Sequence, residues 1–330
     1  MAIVLGIEST AHTFGVGVVK NGKVLANKRD MYTTESGGII PMESAKHHRE
    51  VSEKIYNEAL TEAKIDENEI DAIAFSQGPG LAPCLLEGLK FAKKISNKLN
   101  KPLVPVNHCV AHLEIGKITG AKDPVLLYTS GANTQVISYA SGKYRVFGET
   151  LDTGVGNFID TFARYAGLGF PGGPKIEKLA EQSKNYVELP YSVKGMDVSF
   201  SGILTNLRQK LESGKYKIED LSFSMQETVF AMLVETAERA LAHLGKKEVL
   251  LGGGVACNKR LQDMTRIMCE ERGAKFFCPE RALLVDNGAM IAYLGEIFFN
   301  NKIFFSDEDA ESLDIKPRQR TDEVDVNRKS

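Results

Sequence analysis

His108-Cys109-Val110-Ala111-His112 sets two imidazoles four residues apart. On a helix, positions i and i+4 project from one face, so both rings can reach a single cation. The segment lacks the glutamate of HExxH, so the general base of a metalloprotease is missing from its usual place. Two solvated or capping histidines satisfy the same pattern. A carboxylate could complete the pair. Asp286, in Asp286-Asn287-Gly288-Ala289, is placed to open the last helix, where an acidic residue is expected first of all to be a cap.

Glycine-rich segments supply the other candidates. Gly252-Gly253-Gly254 follows an apolar run. Without Cβ atoms its backbone can approach a ligand, and the next helix can offer N–H groups to a phosphate or ribose. A tight strand-to-helix turn is the alternative, and no Gly-Lys-Ser/Thr follows to make a Walker loop. Ser130-Gly131-Ala132-Asn133-Thr134 suits either a phosphate-binding turn or an ordinary polar one. The stretches 152–160 and 170–177 each lead into a helix carrying a carboxylate, Asp160 and Glu177. These could bind hydroxyl or amine groups of a ligand; standing in solvent is the commoner fate.

The elements around these residues repeat. Residues 3–6, 15–19 and 24–26 read as strands, with Asn21-Gly22 as a hairpin turn that tolerates positive φ. Residues 125–129, 134–138 and 144–147 read the same way, with Ser141-Gly142 at the turn. Helices are expected over 44–63, 84–99, 109–118, 157–165, 175–183, 221–244, 259–272 and 286–299, and buried strands over 72–76, 103–106 and 248–251. The charged tail from Asp307 is expected on the surface. Asp123-Pro124 marks a boundary. Two related α/β domains follow, 1–123 and 124–330, the second with a helical insertion and the charged tail, their ligand loops facing one cleft.

Composition agrees with a soluble enzyme. The 330 residues are 43% hydrophobic and 25% charged, with a net charge of −2. A chain so balanced binds nucleic acid only through a local patch or a partner. The first residues read as a strand and not as a secretory signal, and no apolar run approaches the roughly 18 residues of a membrane span. Five cysteines form no CxxC pair, so a reducing, cytoplasmic setting is expected.

Taken together, several segments resemble one family: Gly6-Ile7-Glu8-Ser9-Thr10-Ala11-His12-Thr13, Phe75-Ser76-Gln77-Gly78-Pro79-Gly80-Leu81, Val106-Asn107-His108-Cys109 with His112, Gly148-Glu149-Thr150-Leu151-Asp152, Phe170-Pro171-Gly172-Gly173-Pro174, Met196-Asp197-Val198-Ser199-Phe200-Ser201-Gly202, and the run from Asp286 to Ala292. The family is the tRNA N6-threonylcarbamoyladenosine transferases, once labelled O-sialoglycoprotein endopeptidases. Within it the chain is similar to the archaeal and eukaryotic catalytic subunit of the KEOPS complex, related to bacterial TsaD.

The resemblance implies the actin-like ATPase architecture of actin, Hsp70 and sugar kinases. It implies one metal ion, iron or zinc, held by His108, His112, Tyr128 and Asp286. It places threonylcarbamoyl-adenylate on Tyr128, Thr129, Ser130, Gly131, Ala132, Asp160, Gly173, Glu177 and Asn258, in a cleft that could also take an ATP or ADP analogue. The implied reaction moves the threonylcarbamoyl group to N6 of adenosine 37 in tRNAs reading ANN codons and releases AMP. No side chain is expected to act as nucleophile. The implied partners are tRNA, a kinase-like ATPase subunit, a small dimerising subunit and an accessory regulator; no membrane is implied. Lys90, Lys93, Lys94 and Lys98 form either a solvated helix face or a row of tRNA phosphate contacts. Ala132 stands where the family mostly has a second glycine, Cys257 where a small residue is usual, and Leu86 where archaeal members often have Arg. The competing readings are a metal-dependent glycoprotease, an ATPase or sugar kinase of the same fold, and a non-catalytic scaffold.

Overall fold

A computed structural model describes residues 2–34 and 38–326. The chain forms two compact units, one of Met1–Tyr32, Ile39–Ile118 and Asp286–Ser330, the other of Thr33–Gly38 and Thr119–Val285. The expected boundary at 123/124 therefore lies beyond the observed one. The segment from Asp286, expected with the second domain, belongs to the first.

In the first unit, β1 (Ile3–Glu8), β2 (Thr13–Lys20) and β3 (Lys23–Met31) form an antiparallel meander. Asn21 and Gly22 turn the hairpin with φ of 54° and 70°, the geometry their pairing predicts. Helix α1 (Pro41–Ala63) leads to β4 (Ala72–Gly78), α2 (Ala82–Leu99) to β5 (Leu103–Asn107), and α3 (His108–Gly116) follows directly. The sheet order is β3-β2-β1-β4-β5, with β1, β4 and β5 parallel.

The second unit repeats this plan. β6 (Val125–Thr129), β7 (Thr134–Ala140) and β8 (Lys143–Glu149) form the meander, and Ser141 and Gly142 turn it with φ of 52° and 83°. An insertion follows: α4 (Val155–Tyr165), α5 (Gly173–Ala180), the short β9 (Val193–Lys194) and β10 (Asp197–Val198), and α6 (Ser201–Glu212). Then come α7 (Ile218–Leu244), β11 (Glu248–Gly252), α8 (Lys259–Glu271), β12 (Lys275–Phe277) and α9 (Arg281–Leu284). The order β12-β11-β6-β7-β8 matches the first sheet strand for strand. The repeat is real, and α7 and α8 take the places of α1 and α2.

Helix α10 (Gly288–Asn300) returns to the first unit and lies on β1, β2 and β4. Strand alternation divides β1 between two layers. Ile3, Leu5 and Ile7 join the core shared with α1 and α2, among Ile55, Tyr56, Leu89 and Ala92. Gly6 faces the backbone of α10 instead, and period two sends Glu8 to that same side.

The tail does not simply lie on the surface. After α11 (Asp307–Glu311), Lys316 N–H donates to Gln77 O at 2.8 Å, and Gly80 N–H donates to Pro317 O at 3.1 Å. Thr321, Val324 and Val326 are buried. Its charges alternate with apolar residues that the first unit covers. Residues 327–330 of the tail lie outside the described residues.

Candidate metal centre and ligand loops

Asn107 ends β5 and caps α3: its Oδ1 accepts the Val110 N–H at 3.0 Å, while its Nδ2 donates to Gln319 Oε1 at 3.1 Å. The tail thus helps to fix the helix that carries both histidines. Every residue of α3 is buried. The His108 and His112 rings meet edge to face with centroids 4.8 Å apart. Asp286 Oδ1 lies 3.4 Å from Nε2 of each.

Asp286 is not the cap of α10. Asn287 takes that role, its Oδ1 accepting the Met290 N–H at 2.9 Å. The carboxylate one residue earlier is left for the imidazoles, and all three donor atoms fall within 4.8 Å of one another.

The donor set fits a transition metal or zinc. Ligands about 2.05 Å from a tetrahedral ion stand about 3.3 Å apart, close to the separations between the carboxylate and each imidazole. Such a centre also needs outer partners that orient its ligands. Glu8 supplies one. It is fully buried, and its Oε2 lies 3.0 Å from His108 Nδ1, the nitrogen turned away from Asp286. Its Oε1 accepts the Thr10 N–H at 2.7 Å and also the Thr10 hydroxyl. Glu8 was not singled out from sequence as a site residue. The available signal was a carboxylate ending an otherwise apolar strand, since a buried charge must be paired.

Electrostatics agree with a site built for positive charge. Burial works against charge on His108, yet Glu8 and Asp286 together hold its pKa well above the usual value. Burial pushes His112 down, and neighbouring His108 pushes the same way. Burial alone would raise Asp286, but His108 and His112 hold it well below the usual carboxylate range.

The expected substrate residues all lie in the second unit. Tyr128 and Thr129 end β6, fully buried, and Gly252 of β11 pairs with Tyr128. Ser130 closes the next turn by donating its N–H to Asn133 O at 2.8 Å. Ser130 O and Gly131 O accept the N–H groups of Gly156 and Asn157, so this turn sits on the start of α4. Ala132 is exposed, and its φ is not positive, so the turn has no conformational need for a second glycine.

Asp160 and Glu177 are half-buried, each with one carboxylate oxygen hydrogen-bonded. Asp160 Oδ1 accepts the Gly172 N–H at 2.8 Å and fixes the start of α5. Glu177 Oε1 accepts the Lys259 N–H at 2.9 Å at the start of α8. Asn258 caps that helix through Arg260 N–H at 2.9 Å, and its Nδ2 donates to Gln226 at 2.8 Å. The first N–H groups of α8 are therefore engaged within the chain. A Cβ on Gly173 would meet nothing within 4 Å, so that face of α5 is open.

The lysines of α2 pair with carboxylates: Lys90 with Glu87, Lys93 with Glu311, Lys94 with Glu53 and Lys98 with Glu67. Each is thus ion-paired, with Glu87 shared between Lys90 and Arg49. No helix among the described residues is long and apolar enough to cross a membrane.

Comparison with known proteins places this geometry in a family. Residues 23–293 match the family model described as TsaD, tRNA N6-adenosine threonylcarbamoyltransferase. A protein of that name from Thermococcus sibiricus is 56% identical over 324 residues, covering 98% of this chain and 99% of its own. A Methanosarcina mazei protein, named as a probable bifunctional tRNA threonylcarbamoyladenosine biosynthesis protein, is 52% identical over 98% of this chain and 59% of its own length. Among solved structures, Thermococcus kodakarensis HypF is similar with a TM-score of 0.64 at 17% identity, covering 91% of this chain and 48% of HypF, a likeness of fold. A two-unit α/β chain with duplicated five-stranded sheets, matched in sequence over nearly its whole length, belongs to the TsaD family of tRNA N6-adenosine threonylcarbamoyltransferases.

Proposed function

We propose that this chain transfers the threonylcarbamoyl group from threonylcarbamoyl-adenylate to N6 of adenosine 37 in tRNAs that read ANN codons, releasing AMP. The observation that carries the reading is the convergence of His108, His112 and Asp286 in a chain of this family. Those three residues would hold one iron or zinc ion, with Tyr128 as the further ligand that the family resemblance implies. An ion held there would supply Lewis-acid stabilisation of the acyl carbonyl and of phosphate oxygens.

The chain's own residues position the substrate. In this reading Thr129, Ser130, Gly131, Ala132, Asp160, Gly173, Glu177 and Asn258 hold the adenylate. Asp160, Glu177 and Asn258 are already held by hydrogen bonds, so little ordering of these three is needed on binding. The acyl carbon of a mixed anhydride is already activated. The adenine N6 forms a bond to it, the bond to the phosphate oxygen breaks, and AMP leaves with the electron pair. The N6 proton passes to a phosphate oxygen or water. No side-chain nucleophile is required.

A peptidase reading would need a carboxylate placed to activate water. Glu8, the buried carboxylate beside His108, is engaged by Thr10 on one oxygen and faces His108 with the other. The kinase-like ATPase subunit, small dimerising subunit and accessory regulator of a KEOPS complex are the partners this reading implies.

The test is a reconstitution with threonine, bicarbonate, ATP, an adenylate-forming enzyme, those partners and unmodified tRNA. Modified adenosine and AMP should accumulate together. If no modified adenosine forms while a close relative produces it under the same conditions, the reading is wrong. A second expectation concerns Glu8. Glu8→Gln keeps the volume and the Thr10 contact but removes the charge behind His108. Divalent-cation affinity, measured by competition with a chromogenic chelator, should fall about 10- to 100-fold. Unchanged affinity would mean that Glu8 does not orient the ligand.

A further inference from the structure

We infer that the insertion in the second unit carries an RNA-docking surface, formed by Lys184, Tyr186, Lys215, Tyr216 and Lys217 around an open groove. The inference rests on the reading that RNA is the acceptor, and it adds where on this chain the RNA lies.

Charge is the first observation. Across the insertion and the groove, residues 155–220, nine Lys and Arg stand against eight Asp and Glu, so the positive charge is local, carried by Lys184, Lys215 and Lys217. The lysines of α2 are each ion-paired with a glutamate. Lys184, Lys215 and Lys217 are exposed and, among the described residues, enter no ion pair. Cations left without protein partners are available to a polyanion, and their field is strongest where they cluster.

Shape is the second. An open groove of about 460 Å³ is lined by Lys184 and Lys217 together with Gln182, Ser183, Asn185, Glu219 and Asp220. The acidic pair occupies the first turn of α7, where the helix dipole offsets its charge. Asp220 is also engaged by the Ser183 hydroxyl at 2.6 Å. Amides, a hydroxyl and ammonium groups at a groove wall suit phosphate and ribose oxygens.

Aromatic exposure is the third. Tyr186 and Tyr216 flank the groove in sequence and are 56% and 37% exposed. Neither is held by apolar packing alone. The Tyr186 hydroxyl is hydrogen-bonded to Thr228 at 2.9 Å, and the Lys210 ammonium lies 5.0 Å from the Tyr216 ring centroid. Rings anchored at one point with a face in solvent, interleaved with lysines, are the pattern of single-stranded nucleic-acid stacking platforms. An apolar protein partner would favour Leu, Ile or Phe there, and the groove walls have none.

The surface is also near the ligand loops of its own unit. Lys217 immediately precedes α7, and Gln226, nine residues on, bonds Asn258. At 1.5 Å per residue the two positions are about 13 Å apart along the helix, so a strand lying over the groove passes close to the adenylate loops.

The experiment uses the full chain and an unmodified transcript of an ANN-reading tRNA, with binding followed by fluorescence polarisation between 50 and 200 mM salt. Lys184→Ala, Lys215→Ala and Lys217→Ala combined should weaken binding about tenfold or more and flatten the salt dependence by about two to three in slope. Tyr216→Ala should weaken it about five- to hundredfold, and Tyr216→Phe should restore it, because stacking needs only the ring. Lys90→Ala with Lys94→Ala should change nothing. If the parent chain binds tRNA and the triple variant binds with the same affinity and slope, the surface is wrong while the acceptor reading stands. If the parent neither binds nor modifies tRNA, the acceptor reading itself fails. Loss of a protein partner with tRNA binding intact would make this a protein interface and overturn the inference.

Discussion

Asp286→Asn is expected to leave the first unit folded, to lower divalent-cation affinity by about 100-fold or more, and to slow transfer by about three orders of magnitude. The fold should survive because Asp286 precedes the helix cap and Asn287 keeps that role. Its carboxylate is 3.4 Å from both imidazoles, so the substitution removes the one negative donor of the three. Removing an outer partner of a metal ligand typically costs 10- to 100-fold in affinity, and removing a ligand should cost more. Lewis-acid stabilisation of a developing negative charge supplies several kcal/mol, and about 4 kcal/mol corresponds to a thousandfold in rate. Metal analysis, circular dichroism and the transfer rate should be read on one preparation. A variant that keeps full metal content and full rate would remove Asp286 from the centre, whatever its distance to the histidines.

That expectation depends on an assignment that sequence left open. Asp286 and Asn287 are neighbours and both are good cap residues, so spacing did not say which would cap and which would be spare. Only the backbone geometry at Asn287 decides it. Helix starts elsewhere shifted for a related reason. The helix expected from Ser44 begins at Pro41 with no side-chain cap, and the Ser44 hydroxyl donates to Ala11 O at 2.6 Å. Proline at the first turn presets φ without any capping oxygen, so the signal that polar residues give was absent there.

The hairpins were legible because Asn21-Gly22 and Ser141-Gly142 act locally. Their positive φ values are a property of two residues and not of the tertiary fold. The repeat followed from them, since identical local turns between apolar runs already fix three strands of each sheet. What could not be read was which segments of distant sequence meet. Glu8 and His108 are a hundred residues apart, and Asp286 and His112 nearly twice that. Period-two alternation puts Glu8 on the face of β1 away from α1 and α2. Knowing that α3 and α10 cover that face requires the fold. Other elements were also missed: α6 starts with Ser201-Gly202, a weak helix opening, and β12 has only three residues.

Gly17→Ala should be among the most damaging single-methyl changes in the first unit, lowering the melting temperature by about 6 °C or more. A Cβ at Gly17 would lie 2.2 Å from the Ala289 nitrogen and 2.5 Å from its Cα, and one at Gly288 would lie 2.2 Å from the Gly17 nitrogen. Both neighbours are backbone, so no rotamer change relieves the clash. Overpacking in a closed core costs about 1–3 kcal/mol and more when nothing can yield. Each kcal/mol moves the midpoint by about 2–4 °C in a domain of this size. The consequence reaches the metal centre, because α10 must shift and Asp286 stands just before it. Cation affinity should therefore fall together with stability. Gly142→Ala is the control: its φ is 83° but nothing lies within 4 Å, so only backbone strain of about 1 kcal/mol is added. Thermal unfolding and chelator competition on the two variants separate the cases. If Gly17→Ala melts no lower than Gly142→Ala and binds cation like the parent, α10 is not held against β2 as the packing requires, and the placement of Asp286 beside the histidines loses its support.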